Sequence, residues 1–353
     1  MKIFIPGPTY ITPETREAQA AEMIGHRSQA FVQLFKGIQS KLRLVLQTKN
    51  RVFVATSSGT GLWEGAMRNV VGERMLICVC GAFGKRWVDV AAQNGVAHDV
   101  LEVEWGEANQ ADQVEQALKK QSYDVLAVVH NETSTGVENP VADIIARARA
   151  VQPDLITMVD AVSSAAGADI RTDAWGIDIL VTSSQKCFAL PPGLAFAAVS
   201  DRALERARQI PNRGWYFDFL LMEKYAQRDM TPATPAVSLL YALDHELDLI
   251  LAEGIPERFA RHAQMAHMAQ SWAADRMALF AQEGFRSTTV TTVSNTRQID
   301  VEALNAYLLT HDMQLANGYG PLKDRTFRIG HMGEIQPDDV KTLLAHIDAF
   351  LAL

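Results

Sequence analysis

The sequence is poor in cysteine. Only Cys78, Cys80 and Cys187 occur among 353 residues, which gives neither a disulfide framework nor a four-ligand zinc site. Cys78 and Cys80 are two apart, a spacing that puts both on one face of a strand. The chain has no apolar run of the roughly 18 residues needed to cross a bilayer. Nor does positive charge dominate. Lysine and arginine number 33 against 41 aspartates and glutamates, a formal net charge of −8 with both signs interspersed. That balance argues against nucleic acid as a partner. There is no low-complexity tract and no internal repeat, and Met1-Lys2-Ile3-Phe4-Ile5-Pro6-Gly7-Pro8 is broken by proline too early for a signal peptide. A globular protein in a reducing, cytoplasmic setting, without membrane or nucleic-acid partners, is expected.

What is present is a regular alternation. Thr12-Pro13 reads as a helix cap followed by proline at the first helical position. A helix is predicted from Gln29 to Gln47, with Phe31, Leu34, Phe35, Ile38, Leu42, Val45 and Leu46 on one face. Strands are predicted at 51–55, 74–79, 97–103, 124–129, 155–160 and 177–183, most of them followed by a helical pattern. This is the mark of an α/β protein with a mainly parallel sheet between two layers of helices. The run Leu194 to Val199 follows too soon for a parallel crossover, so it is expected to run antiparallel to its predecessor. Near Leu249–Gly254 the texture changes. A helix over 256–282, a β-rich run at 288–293, a helix at 300–310, short strands near 312–316 and 325–330 and a closing helix at 337–352 predict a smaller α+β unit. The expected division is an N-terminal segment 1–11, a large domain 12–252 and a small domain 253–353.

Chemistry-bearing residues gather at the predicted carboxyl ends of the strands, where open α/β sheets bind ligands. Ser57-Ser58-Gly59-Thr60-Gly61-Leu62 opens a helix and suits a phosphate. Gly65 comes one position too late for a dinucleotide fingerprint, and no GK[ST] follows, so a single phosphate is the better guest. Gly81-Ala82-Phe83-Gly84 sets an aromatic between glycines, and His130-Asn131-Glu132-Thr133-Ser134-Thr135-Gly136 offers many short polar groups. Asp160 closes an apolar strand, where a carboxylate is expensive to bury without a cation. Lys186 stands just past the strand 177–183, placed to form a Schiff base with a carbonyl. Each has an ordinary alternative: a tight turn, a core phenylalanine, a surface lysine. In combination they describe a pyridoxal 5′-phosphate site, with Asp160 for a pyridinium nitrogen and Lys186 for an aldehyde.

Taken with Pro6-Gly7-Pro8, Gly25-His26-Arg27-Ser28, Ser184-Gln185-Lys186, Pro191-Pro192-Gly193, Thr231-Pro232-Ala233-Thr234-Pro235 and Arg328-Ile329-Gly330, these motifs resemble the class V aminotransferases, fold type I of the pyridoxal-phosphate enzymes. The likeness is greatest to the alanine–glyoxylate and serine–pyruvate or serine–glyoxylate group. It implies that Lys186 holds the cofactor, Asp160 pairs with the ring nitrogen and Val162 packs on the ring beside Phe83, where many relatives carry tryptophan. It implies phosphate contacts from Thr60, the amides of Gly61 and Leu62, and Gln185. Thr133 would sit near the phenolic oxygen, and Arg328 would bind the substrate's α-carboxylate. A homodimer is implied too, in which Thr234, or Thr231, reaches the neighbouring cofactor. The implied reaction passes the amino group of a small amino acid, alanine or serine, to a small 2-oxo acid, glyoxylate or pyruvate, by a ping-pong route with Lys186 as proton carrier.

Four alternatives stand beside it. A non-catalytic relative kept as a binding or structural subunit is disfavoured by the presence of both Asp160 and Lys186. Another class V enzyme with a different donor, aspartate or aminoethylphosphonate, would need a second cation, for which Arg27 and Arg86 are candidates. A desulfurase or lyase would need a reactive cysteine. A nicotinamide dehydrogenase is disfavoured by the glycine spacing. His245, His262 and His267 lack metal-ligand spacing and read as packing or surface residues, His331 as packing or a substrate-entrance residue, and Trp215-Tyr216-Phe217 as core, lid or subunit contact.

Overall fold

Seven strands form the central sheet of the computed structural model, which describes residues 1–352. Their spatial order is Arg51–Thr56, Leu194–Val199, Ile179–Ser183, Ile156–Asp160, Val125–Val129, Met75–Val79 and His98–Glu102. Six point the same way. Leu194–Val199 runs against both neighbours, as its short connection requires. The central strands are buried along their whole length because helices cover both faces, and alternate residues belong to different layers. Leu76 and Cys78 pack into one core with Phe31, Phe35, Ile38 and Leu42. Ile77 and Val79 pack into the other with Trp63, Met67 and Trp87.

The helix Gln29–Val45 follows its apolar stripe and is capped by Ser28, whose hydroxyl accepts the Phe31 N–H. Burying each of its large apolar side chains contributes roughly 1.5–3 kcal/mol. Cys80 lies just past Met75–Val79, in a small separate cluster, so the same-face expectation for Cys78 and Cys80 stops at the strand's end.

A second sheet has the order Lys2–Phe4, Met313–Asn317, Thr326–Gly330, Val290–Ser294 and Ala278–Leu279. Lys2–Phe4 is its parallel edge, paired with Met313–Leu315, so the N-terminal segment is built into this sheet. One predicted helix is corrected. The helix expected over 256–282 spans Ile255–Arg276. Beyond Met277 the chain turns extended, and Ala278 and Leu279 pair with Ser294 and Val293. Edge pairing overrides local helical preference there.

Candidate active site

Every strand of the central sheet that bears a sequence-predicted residue ends on the same side, and the loops beyond them enclose one cavity of about 400 Å³. Thr60, Phe83, Thr133, Asp160, Val162, Gln185 and Lys186 all line it, joined by Ser58, Gly59, Arg86, Trp87, Val129, Asn131, Ser163 and Tyr319. Asp160 and Lys186 reach it from adjacent parallel strands, with Asp160 in register with Val181. The carboxylate and the amine thus share one space.

Lys186 is 8% exposed. Burial and the nearby Arg328 charge lower its ammonium from 10.5 to about 8, so an appreciable neutral fraction exists near neutrality. Its Nζ donates to the Pro6 carbonyl. Thr9 ties the same segment down, its hydroxyl donating to the Lys186 carbonyl at 3.0 Å. The proline–glycine turn therefore braces the lysine from 180 residues away in sequence. Gly7 sits at φ +97°, and a Cβ there would lie 2.5 Å from Lys186 Cδ. Gly7→Ala is expected to push the lysine off its position and to lower cofactor affinity at least about 10-fold, because a left-handed residue with a side chain costs roughly 1–2 kcal/mol before any clash. Equilibrium titration with pyridoxal 5′-phosphate measures it.

Asp160 is 4% exposed. Burial, reinforced by the Glu132 charge, lifts its carboxyl from 3.8 to about 7, against the Val162 N–H donated to Oδ1 at 2.8 Å. Glu132 is buried but fully served. One oxygen accepts the Phe83 and Gly84 amides at 3.0 Å, and the other accepts the Ser134 amide and hydroxyl at 3.1 and 2.6 Å. It locks the loop carrying Thr133 to the helix carrying Phe83. Asp160 has no comparable set of donors, which leaves it in want of a cation.

The glycine loop needs one correction. The helix begins at Gly59 and is capped by Ser58, so the Gly61 amide donates to Ser58 Oγ and the Leu62 amide to the Ser58 carbonyl. Leu62 is fully buried. The amides with no partner are those of Gly59 and Thr60, the first two of the helix, and these are the groups that suit an anion. Gly59 also lies so close to Val162 that a Cβ would stand 2.6 Å from Val162 Cγ2.

Arg328 lies beside the cavity, 8% exposed. Its Nε and Nη2 each donate to the Asn317 carbonyl at 3.1 Å and its Nη1 to the Thr133 carbonyl at 3.4 Å. Of the five guanidinium N–H groups one remains on each terminal nitrogen, the pair that grips a carboxylate. Burial brings it down to about 10, and it has no acidic partner among the described residues.

The remaining candidates lie elsewhere. Thr234 is exposed and 3.5 Å from His26, outside the cavity, near a shallow groove shared with Tyr216 and Thr231. Thr231 spends its hydroxyl on the Ala233 carbonyl. Arg27 donates to the Thr231 and Pro232 carbonyls and so braces that turn. Arg86, not Arg27, is the second arginine at the cavity. Trp215 and Tyr216 are exposed. His262 and His331 are buried packing residues, held by Arg258 and Gly333 and by Thr291. Cys187 is fully buried and pushed up to about 12 by burial, and the other two cysteines are buried as well.

The cavity was built for a polar guest. Asn131 Oδ1 and Gln185 Oε1 are buried at its wall without partners, and the Trp87 side chain offers its N–H toward Asp160. With two free amides, a carboxylate wanting a cation and an amine, the residues present fit pyridoxal 5′-phosphate. Trp87 and Tyr319 were not singled out from sequence. An aromatic between Gly318 and Gly320, repeating the Phe83 pattern, was the available signal for Tyr319.

Comparison with known proteins gives a consistent answer. A family model described as Aminotransferase class-V matches residues 13–319. An L-aspartate–glyoxylate aminotransferase of Paracoccus denitrificans is 35% identical over 344 residues, 94% of this chain and 86% of the relative. A serine–glyoxylate aminotransferase of Hyphomicrobium methylovorum is also 35% identical, over 94% of this chain and 84% of its own length. The crystal structure of an alanine–glyoxylate aminotransferase from Nostoc sp. superposes with a TM-score of 0.92 at 32% identity, covering 99% of this chain and 94% of that one.

Proposed function

The chain belongs to the class V aminotransferases and is a transaminase of the fold type I architecture, and from that premise we propose that it moves the amino group of alanine or serine to glyoxylate or pyruvate on pyridoxal 5′-phosphate held by Lys186. The observation that carries this reading is the shared cavity of Asp160 and Lys186, with the free N–H pair of Arg328 at its side.

When bound, the cofactor supplies an electron sink that makes the α-proton of an amino acid acidic. The rest is done by the chain. Arg328 fixes the α-carboxylate with its two remaining N–H groups, and so turns the α-hydrogen toward Lys186. The Lys186 amine, held near 8 by burial and the Arg328 charge, would serve as the base that takes that proton and as the acid that later returns it. Asp160 holds a proton on the ring nitrogen through its charge, and its burial keeps that pair out of water. The Gly59 and Thr60 amides, with the Thr60 and Gln185 side chains, hold the phosphate. Phe83 and Val162 would pack against the ring, and Thr133 would sit near its phenolic oxygen. Residues 12–252 would form the cofactor-binding unit and 253–353 the smaller one.

The acceptor reading is supported by the relatives, all three of which carry glyoxylate in their names. A desulfurase reading loses support because each thiol is buried. A homodimer is favoured by exposed Trp215, Tyr216 and Thr234 near the phosphate loop, and sedimentation equilibrium tests it.

A donor panel decides the reaction. Alanine and serine should each discharge the visible absorbance of the loaded protein, and glyoxylate should restore it. Absorbance that no amino acid in the panel discharges would refute the assignment. Arg328→Lys, which replaces a fork by a point charge, is expected to lower kcat/KM for alanine by about 10- to 100-fold, mainly through KM, as read from steady-state kinetics.

A further inference from the structure

Tyr319 bounds the cavity and is held there by three separate contacts. Its ring stacks on Phe83 with centroids 5.4 Å apart and planes 29° from parallel. Its phenolic oxygen accepts Arg86 Nη2–H at 2.8 Å. The Arg328 guanidinium lies over its ring, 5.5 Å from the centroid. A side chain 36% exposed would ordinarily sample several rotamers, but this one is tied at the hydroxyl, along one face and to the arginine.

The turn beneath it is also fixed. Asn317 gives its carbonyl to Arg328, and its side chain bridges to Asp324, donating to Oδ1 at 2.7 Å and accepting the Asp324 amide at 2.9 Å. A Cβ on Gly318 would collide with the Leu322 carbonyl at 1.9 Å, so the backbone has one path into the turn. The segment that aims Arg328 is therefore the segment that carries Tyr319. Tyr319, Phe83 and Arg86 line the same cavity as Lys186, on the side where Arg328 lies against the Tyr319 ring, so a substrate carboxylate on Arg328 would bring the amino-acid side chain near them.

We propose that Tyr319 is a specificity-determining residue of this site, its pinned ring limiting the length of amino-acid side chain the cavity accepts. The inference rests on the transaminase reading and names its substrate class, amino acids with a methyl or hydroxymethyl side chain. Discrimination of about 10- to 200-fold per methylene is what a rigid apolar wall delivers.

The test is a ratio. With one oxo acid held constant, kcat/KM is measured for alanine, 2-aminobutyrate and norvaline in the wild type, Tyr319→Phe and Tyr319→Ala. Tyr319→Ala should raise the norvaline-to-alanine ratio at least about 10-fold, and Tyr319→Phe, which keeps the ring, should stay within about 3-fold of the wild type. Should Tyr319→Ala fail to fold, Tyr319→Leu carries the same comparison. A second readout needs no turnover. Propionate and valerate bind the cofactor-free protein, followed by quenching of tryptophan fluorescence, since Trp87 lines the cavity. The alanine variant should shift preference toward valerate by a similar factor. Unchanged ratios in both measurements, with alanine still turned over, overturn the assignment of Tyr319 alone. Absence of turnover with every donor in the wild type overturns the transaminase reading and this inference with it.

Discussion

Lys186→Ala is expected to lower transamination by at least about 10³-fold while leaving the thermal unfolding of the protein close to that of the wild type. Among the described residues the lysine is the only amine lining the cavity, and the other ionisable side chains there are Asp160, Arg86 and Tyr319. Arg86 and Tyr319 are engaged with one another, Arg86 Nη2–H being donated to the Tyr319 oxygen at 2.8 Å, and Asp160 is committed to the ring nitrogen in the proposed scheme. No side chain stands ready to take over the proton, and general-base catalysis of this type accounts for about 10²–10⁴ in rate. Removing the chain also removes covalent capture of the cofactor, so the loss should exceed the lower bound. A small primary amine such as ethylamine should restore part of the rate, because the deletion leaves a space where the amine stood. Single-turnover measurement with alanine, in protein saturated with cofactor, separates loss of chemistry from loss of binding. Turnover near the wild-type rate would end the scheme.

The parts of this site that sequence made legible are those that end strands. Asp160 and Lys186 each follow a β-branched apolar run, and the parallel order of Ile156–Asp160 and Ile179–Ser183 brings them to one edge. Local pattern and global fold agree there, so short-range reasoning suffices. It fails where the decisive partner is distant. Pro6 reaches Lys186 across 180 residues, and Arg328 reaches Thr133 across 195. Lys2–Phe4 is a strand only because Met313–Asn317 offers it an edge. The cap is a second case: Ser58 takes the Gly61 amide on its hydroxyl and the Leu62 amide on its carbonyl, which leaves the Gly59 and Thr60 amides without partners. Tyr319 escaped notice for the first reason. Nothing near it in sequence says that Phe83 and Arg86 lie against it.

Asp160→Asn should separate what the site costs from what it does. The substitution is isosteric, and the side-chain oxygen can still accept the Val162 amide. In the cofactor-free protein the carboxyl is raised from 3.8 to about 7, first by burial. A carboxyl raised on folding contributes stability in full below 3.8, and that contribution is lost as pH climbs through about 7. The shift corresponds to about 4 kcal/mol, at roughly 1.4 kcal/mol per tenfold change in proton affinity. The asparagine variant carries no such charge. Its cofactor-free form should therefore gain on the wild type in melting temperature as pH rises from 4 to 7, and the gap should level off above that. Glu246, also raised, to about 8 by burial, is common to both proteins and cancels in the comparison. With cofactor the order reverses. A neutral amide cannot hold a proton on the ring nitrogen, and loss of one partner of a buried charge pair costs about 3–5 kcal/mol, which predicts turnover lower by about 10²-fold or more. A variant that is more stable empty and nearly inert when loaded would identify Asp160 as a group whose burial is tolerated for the cation it awaits. If the melting-temperature gap stayed flat across this pH range, the carboxylate would not be the source of the cost, and its pairing role would lose its physical basis.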